Sequence, residues 1–132
     1  ITERIGAIDA FIAAGYEVHL NFSPIVVYNG WLAQYQQLFE LLNQRIDDKN
    51  KPFIKAECIF LTHNEHQHQR NMSLNRIESE ALIWQPSLQE DKFSEYGGQA
   101  VRYKRGMKRK MIERWVALHD QYLAWNSIRY IF

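Results

Sequence analysis

Three groups of residues carry side chains with chemical potential. His63, His66 and His68 in "THNEHQHQ" put three imidazoles within six positions. Neutral ring nitrogens are good ligands for zinc or iron, and a metal-dependent hydrolase would be the corresponding chemistry. The spacing matches no common zinc site, and a solvated loop accounts for the cluster better. His63 differs from the other two because it follows an apolar, strand-like run. In α/β sheets ligands gather at the carboxyl ends of strands, so His63 is a candidate to face a substrate. The second group, Glu17, His19 and Asn21, is the polar parity of "YEVHLNF". These side chains either line a cavity that takes a polar ligand or meet water at a half-exposed strand. The third group lies in "DKFSEYGGQAVRYKRGMKRKMIERW". Arg102, Lys104, Arg105, Lys108, Arg109, Lys110 and Arg114 are seven of the sixteen basic residues, opposed locally by Glu113 alone. Phe93, Tyr96 and Tyr103 flank the Gly97–Gly98 turn. Such aromatics can stack on bases while the cations contact phosphates. Lys108, Arg109 and Lys110 fall in or near the first turn of a helix, where cations oppose the helix dipole and add no stability. That placement favours an anionic partner over a plain solvated face.

The elements that must position these groups follow from periodicity. Thr2 is a candidate N-cap, Ile5, Ile8 and Ile12 recur at helical spacing, and Gly15 is a stop. "YEVHLNF" alternates strictly, with Tyr16, Val18, Leu20 and Phe22 on the apolar face, and reads as a strand. A second helix is predicted over Trp31 to Ile46, its buried stripe being Leu32, Tyr35, Leu38, Phe39 and Leu42. "FIKAECIFL" is apolar on both parities and suits a strand covered on two sides. "THNEHQHQRNMSLN" reads as a polar loop, followed by a short segment around "RIESEALIW". Pro86 breaks the chain before a hairpin turning at "EYGGQ". Met107, Met111, Trp115, Leu118 and Tyr122 mark a last helix, and "SIRYIF" closes as a strand. Helices alternating with strands imply an α/β fold with a mostly parallel sheet, outer helices and an inserted hairpin.

With 132 residues the chain is one region, 1–132, able to bury a normal core. Hydrophobic residues at 46% and aromatics at 14% exclude a disordered chain. A net charge of +1 excludes a generic polyanion binder, so the local asymmetry at 102–114 carries the signal. The single cysteine, Cys58, allows no internal disulfide and fits a reducing cytoplasm. No apolar run approaches the roughly 20 residues a bilayer span needs. The chain opens on Ile1 inside a helical pattern, and three helix–strand units make half a barrel; both predict a longer protein.

The stretches "RIGAIDAFIAAGYEVHLNFSPIVVYNGW", "YQQLFELL", "AECIFLTHN", "KFSEYGGQAVRYK" and "IRYIF" together resemble the C-terminal part of the spore photoproduct lyase family. Gly15, Pro24–Ile25 and Gly30–Trp31 occupy the family's helix-ending glycine, its Pro-Ile turn and its Gly-Trp helix start. The resemblance implies the C-terminal half of a partial (β/α)6 TIM-like radical-SAM barrel. It also implies a radical S-adenosylmethionine (SAM) lyase that repairs thymine-dimer lesions in DNA, with a [4Fe–4S] cluster held by an N-terminal Cys-x3-Cys-x2-Cys motif. Cys58 alone cannot hold that cluster, because three thiolates are required. The chain by itself is therefore expected to be catalytically silent, with no catalytic or metal-ligating residue of its own. By the same resemblance, Ser23, Pro24 and Ile25 approach the SAM adenine, and Glu17, His19, Asn21 and His63 border the cavity. Tyr96 falls at the lesion, with Arg102, Tyr103, Lys104, Arg105 and Lys108 on the DNA. Glu95 stands where the family has an arginine beside that tyrosine, a departure that bears on the substrate more than on the fold. The implied partners are damaged, thymine-containing DNA and the missing N-terminal half of the protein, with no membrane. The rival reading is a non-catalytic nucleic-acid-binding module using the 102–114 surface.

Overall fold

The computed structural model describes residues 1–62, 64–83, 87–93 and 99–132. The first helical pattern forms as two short pieces, α1 (Thr2–Gly6) and α2 (Ile8–Ala13), which bury Ile5 and Ile8. Gly15, at φ 86°, ends α2 in a left-handed turn in which Tyr16 N–H donates to Phe11 O at 3.0 Å. The Phe11 and Tyr16 rings meet edge to face across that turn, 5.7 Å between centroids. Tyr16 is thus spent on closing the helix. β1 begins three residues later than the alternation predicts, at His19–Ile25.

β1, β2 (Lys55–Phe60) and β5 (Ser127–Ile131) form a parallel sheet in the order β1-β2-β5. α3 (Trp31–Arg45) and α6 (Met107–Tyr122) pack together on one face of it. The core there is aromatic. Trp115 and Phe39 are fully buried, and Phe22 of β1 meets them edge to face at 5.3 and 5.6 Å. Each such pair adds about 0.5–1.5 kcal/mol beyond the burial of its area. His119 stacks on Trp115 and contacts Asn126, whose amide donates to Ile54 O at 2.8 Å, so a buried polar chain ties α6 to the start of β2.

Two expectations are corrected. β2 is not covered on both sides by the described residues. Ala56, Cys58 and Phe60 are buried beneath the helices, whereas Ile59 on the other parity is 38% exposed, because α3 and α6 share one face. The segment read as a polar loop is largely helix, α4 (Glu65–Ser73), capped by Asn64, whose side chain accepts from Gln67 N–H at 3.0 Å. α5 (Ile77–Ile83) follows. The predicted hairpin is present as β3 (Gln89–Phe93) paired antiparallel with β4 (Gln99–Tyr103). Its turn, with Glu95 and Tyr96, and also His63, lie outside the described residues.

Candidate site on the open sheet face and the basic turn

On the uncovered face, Glu57 of β2 is the hub of a polar network. His19 of β1 lies with Nδ1 3.1 Å from Glu57 Oε1 and Nε2 2.8 Å from Glu17 Oε1. From β5, Arg129 Nη1 donates to Glu57 Oε1 at 3.0 Å and the Tyr130 hydroxyl donates to Oε2 at 2.8 Å. Two consecutive residues reach one carboxylate because the β2–β5 register slips between Ala56 and Glu57. A bulge of this kind re-aims side chains that would otherwise point to opposite faces. The Tyr130 hydrogen bond, followed by His19 and Arg129, holds the Glu57 carboxyl below its ordinary value; the His19 hydrogen bond does the same for Glu17.

This network starts at the amino end of β1, passes the middle of β2 and reaches the second half of β5. At their carboxyl ends the same face turns apolar, with Ile59 and Phe132 exposed and the Tyr130 and Phe132 rings 5.3 Å apart. Ser23 and Pro24 are exposed there on β1, while Ile25 is fully buried and belongs to the core. The free edge of β1 borders a cleft of about 370 Å³ lined by Ile5, Ile8 and Phe11 on one side and Tyr35, Leu38 and Leu42 on the other.

The hairpin base is fastened to the carboxyl end of β2. The Tyr103 hydroxyl donates to Leu61 O, and burial pushes its pKa up to about 12, so it remains a donor. Tyr103 is 6% exposed and cannot stack on a base; its assignment to the DNA surface is corrected to an anchoring one. Arg102 is engaged by Glu90 at 2.9 Å, and Arg109 by Glu113 at 2.7 Å. Lys104 and Arg105 are exposed in the turn before α6 and Lys108 is half-buried in its first turn, none of them in an ion pair with a described residue. The chain runs from β4 straight into α6 through Gly106, at φ 80°.

The structure therefore joins Glu17 and His19 to Glu57, Arg129 and Tyr130, three residues that sequence reasoning passed over. Asn21 is exposed beside Glu57 in the sheet register but is not hydrogen-bonded into this network. Of the histidines, His66 is exposed on α4 and His68 Nδ1 lies 2.5 Å from Glu80 Oε2. No group of three metal-ligating side chains occurs among the described residues. The cysteine chemistry does not fit an iron–sulfur cluster. Cys58 is a single thiol, buried beneath α3 and α6, and burial lifts its pKa to about 12. The described helices include none long and apolar enough to cross a membrane.

Parallel strands with helices on one face and a hairpin pinned at the strand carboxyl ends define an α/β fold. The chain belongs to the spore photoproduct lyase family, whose profile matches residues 1–132. Comparison with curated proteins gives no match. Among solved structures, a spore photoproduct lyase mutant with dinucleoside spore photoproduct is similar at 18% identity and a TM-score of 0.78, over 98% of this chain and 38% of that one. A double mutant of the lyase with bound AdoMet and dinucleoside spore photoproduct gives 16% identity and 0.74, over 98% and 37%. A tyrosine-to-phenylalanine mutant of the lyase gives 18% and 0.78, over 98% and 37%. The chain thus spans little more than a third of the length of these structures. At such identities they establish the fold.

Proposed function

We propose that this chain is the C-terminal portion of a radical-SAM, spore photoproduct lyase-like enzyme acting on thymine-dimer-type lesions in DNA. In this reading it supplies the DNA-binding surface and one side of the SAM cavity, within a partial (β/α)6 barrel. The observation that carries the reading is the cation set Lys104, Arg105 and Lys108, free of described acidic partners and pinned through Tyr103 beside the strand carboxyl ends. Parallel sheets bind ligands at that end. Family membership and the lyase structures holding dinucleoside spore photoproduct support DNA as the partner.

Ser23 and Pro24, with the exposed apolar surface of Ile59 and Phe132, would hold the adenosine end of SAM. When bound, SAM would supply a 5′-deoxyadenosyl radical for hydrogen abstraction from the lesion, released with methionine on one-electron reduction by the cluster. The cluster has no ligand set in these residues and would be held by the N-terminal half. The β1 edge, unpaired among the described residues, and its apolar cleft are suited to receive that half, since an exposed strand edge is a template for a further strand. Tyr96, and His63 at the cavity border, belong to this proposal from the family resemblance.

The test is the salt dependence of DNA binding, measured by fluorescence anisotropy with a labelled duplex. Arg105→Ala combined with Lys108→Ala is expected to weaken binding and to flatten the log–log salt slope by about 0.9 for each phosphate no longer neutralised. An unchanged slope would remove the basic turn from the interface.

A further inference from the structure

We infer that the DNA contact continues from the basic turn along one flank of α6, where Lys110 and Arg114 form a phosphate-binding track. The inference rests on the DNA-binding reading above and extends its surface by two residues that this reading does not use. Both side chains are exposed, and neither forms an ion pair or side-chain hydrogen bond with a described residue. They stand four residues apart, so they lie about 6 Å from one another along the helix axis and leave the same flank. Like charges at this spacing destabilise a helix. The adjacent acid does not relieve them. Glu113 accepts from Arg109 Nε at 2.7 Å, and the first turn of α6 holds no acidic residue. An anionic partner is what turns such a pair from a cost into a contact.

Packing decides which flank this is. Trp115 and His119 meet Phe39 of α3, with ring centroids 5.5 and 5.9 Å apart. At 3.6 residues per turn, Lys110 and Arg114 lie about 100° or more round the axis from both rings, on the side away from α3. Ala117 and Gln121, both exposed, continue the same stripe, so no acid falls on it. The stripe is joined to the basic turn through the chain itself. Gly106 follows Lys104 and Arg105, and Lys110 N–H donates to Gly106 O at 3.2 Å. That turn follows Tyr103, whose hydroxyl fastens it to the carboxyl end of β2. Lys104 to Arg114 is therefore one connected run. A line of cations free of acids matches the evenly repeated charges of a nucleic-acid backbone, where contacts to phosphates fix position without reading sequence. Arg109 lies about 100° further round from Lys110 and is engaged by Glu113, which keeps it off the track.

The experiment measures anisotropy of a labelled duplex over a salt series, with polyglutamate as a second, phosphate-free polyanion. Lys110→Ala with Arg114→Ala is expected to weaken duplex binding and to lower the log–log salt slope by about 1.8. Arg109→Ala is expected to leave the slope unchanged. Joining the first pair to Arg105→Ala and Lys108→Ala should lower it by about 3.6, because one duplex spans both groups. Lys110, Arg114 and Arg109 are exposed, and unchanged circular dichroism would confirm that these variants fold. An unaltered slope in the Lys110 and Arg114 variant, while the Arg105 and Lys108 pair lowers it, would overturn the track and leave the broader reading standing. A drop in Arg109→Ala equal to that of one track residue would also overturn it, since any charge on the helix would then serve. If the Lys110 and Arg114 variant lost polyglutamate binding but kept the duplex slope, the flank would be a contact for acidic protein and the track would fall. A parent chain that binds no duplex would overturn both readings.

Discussion

Glu57 draws three strands together through one carboxylate, and its ionisation is the residue-level property most open to measurement. Tyr130 is the largest influence lowering its pKa, with His19 and Arg129 behind it. A carboxyl whose folded pKa is depressed stabilises the fold fully above its ordinary value of 4.5, and that contribution is lost as pH falls through the lowered folded value. Glu17 has the same sign through His19. Tyr130→Phe keeps the ring and removes the hydroxyl. The Glu57 carboxyl should then titrate closer to 4.5 in a carbon-detected NMR pH series, and acid unfolding should begin at higher pH. An unmoved titration would mean that Arg129 and His19 suffice. Glu17 and His19 were legible as a polar parity in an alternating strand. Glu57 was hidden because its neighbours in "FIKAECIFL" are apolar on both sides. Arg129 and Tyr130 were hidden because alternation assigns them to opposite faces and a bulge undoes the alternation.

Elements held by apolar periodicity were the ones the sequence revealed. α3, α6, β2 and β5 lie close to their predicted spans, and β1 is displaced by three residues, since Phe39, Leu42, Met111 and Trp115 must share a face to be buried. α4 escaped because the side chain it buries is Asn71, and hydrophobic periodicity is silent about a helix docked through Asn71, His68 and Glu80. Tyr103 was misread for a related reason. A tyrosine among lysines and arginines suggests a surface ring, but strand parity turns it inward, where its hydroxyl reaches Leu61 O. Tyr103→Phe should therefore cost about 0.5–1.5 kcal/mol in denaturant unfolding, the net worth of one hydrogen bond, and should raise amide exchange in β3 and β4. Were the ring a stacking platform, the same change would leave stability untouched and Tyr103→Ala would act on DNA affinity alone.

At the scale of the molecule, the sheet is asymmetric in two directions. Among the described residues, one face is sealed by α3 and α6 and the other is open, and β2 has a neighbour on each side while β1 and β5 have one. Covered strands with two partners open only in the largest unfolding events, whereas edge strands expose amides that water reaches directly. Native-state hydrogen exchange should accordingly rank β2 slowest, with Ala56 and Cys58 near the global limit, and β1 and β5 faster. About half of the β1 amides point away from β2, as alternation along an edge strand requires, and these should exchange fastest of all the sheet amides. Supplying the preceding half of a lyase-like barrel should slow those β1 amides selectively, by pairing the edge and filling the apolar cleft beneath Phe11 and Leu38. Protection should spread little into β5, which lies across the sheet from that edge. Uniform slowing of all three strands would indicate general stabilisation without edge pairing. No change in β1 would place the remainder of the protein elsewhere, and would remove the strand edge from the account of how this chain is completed.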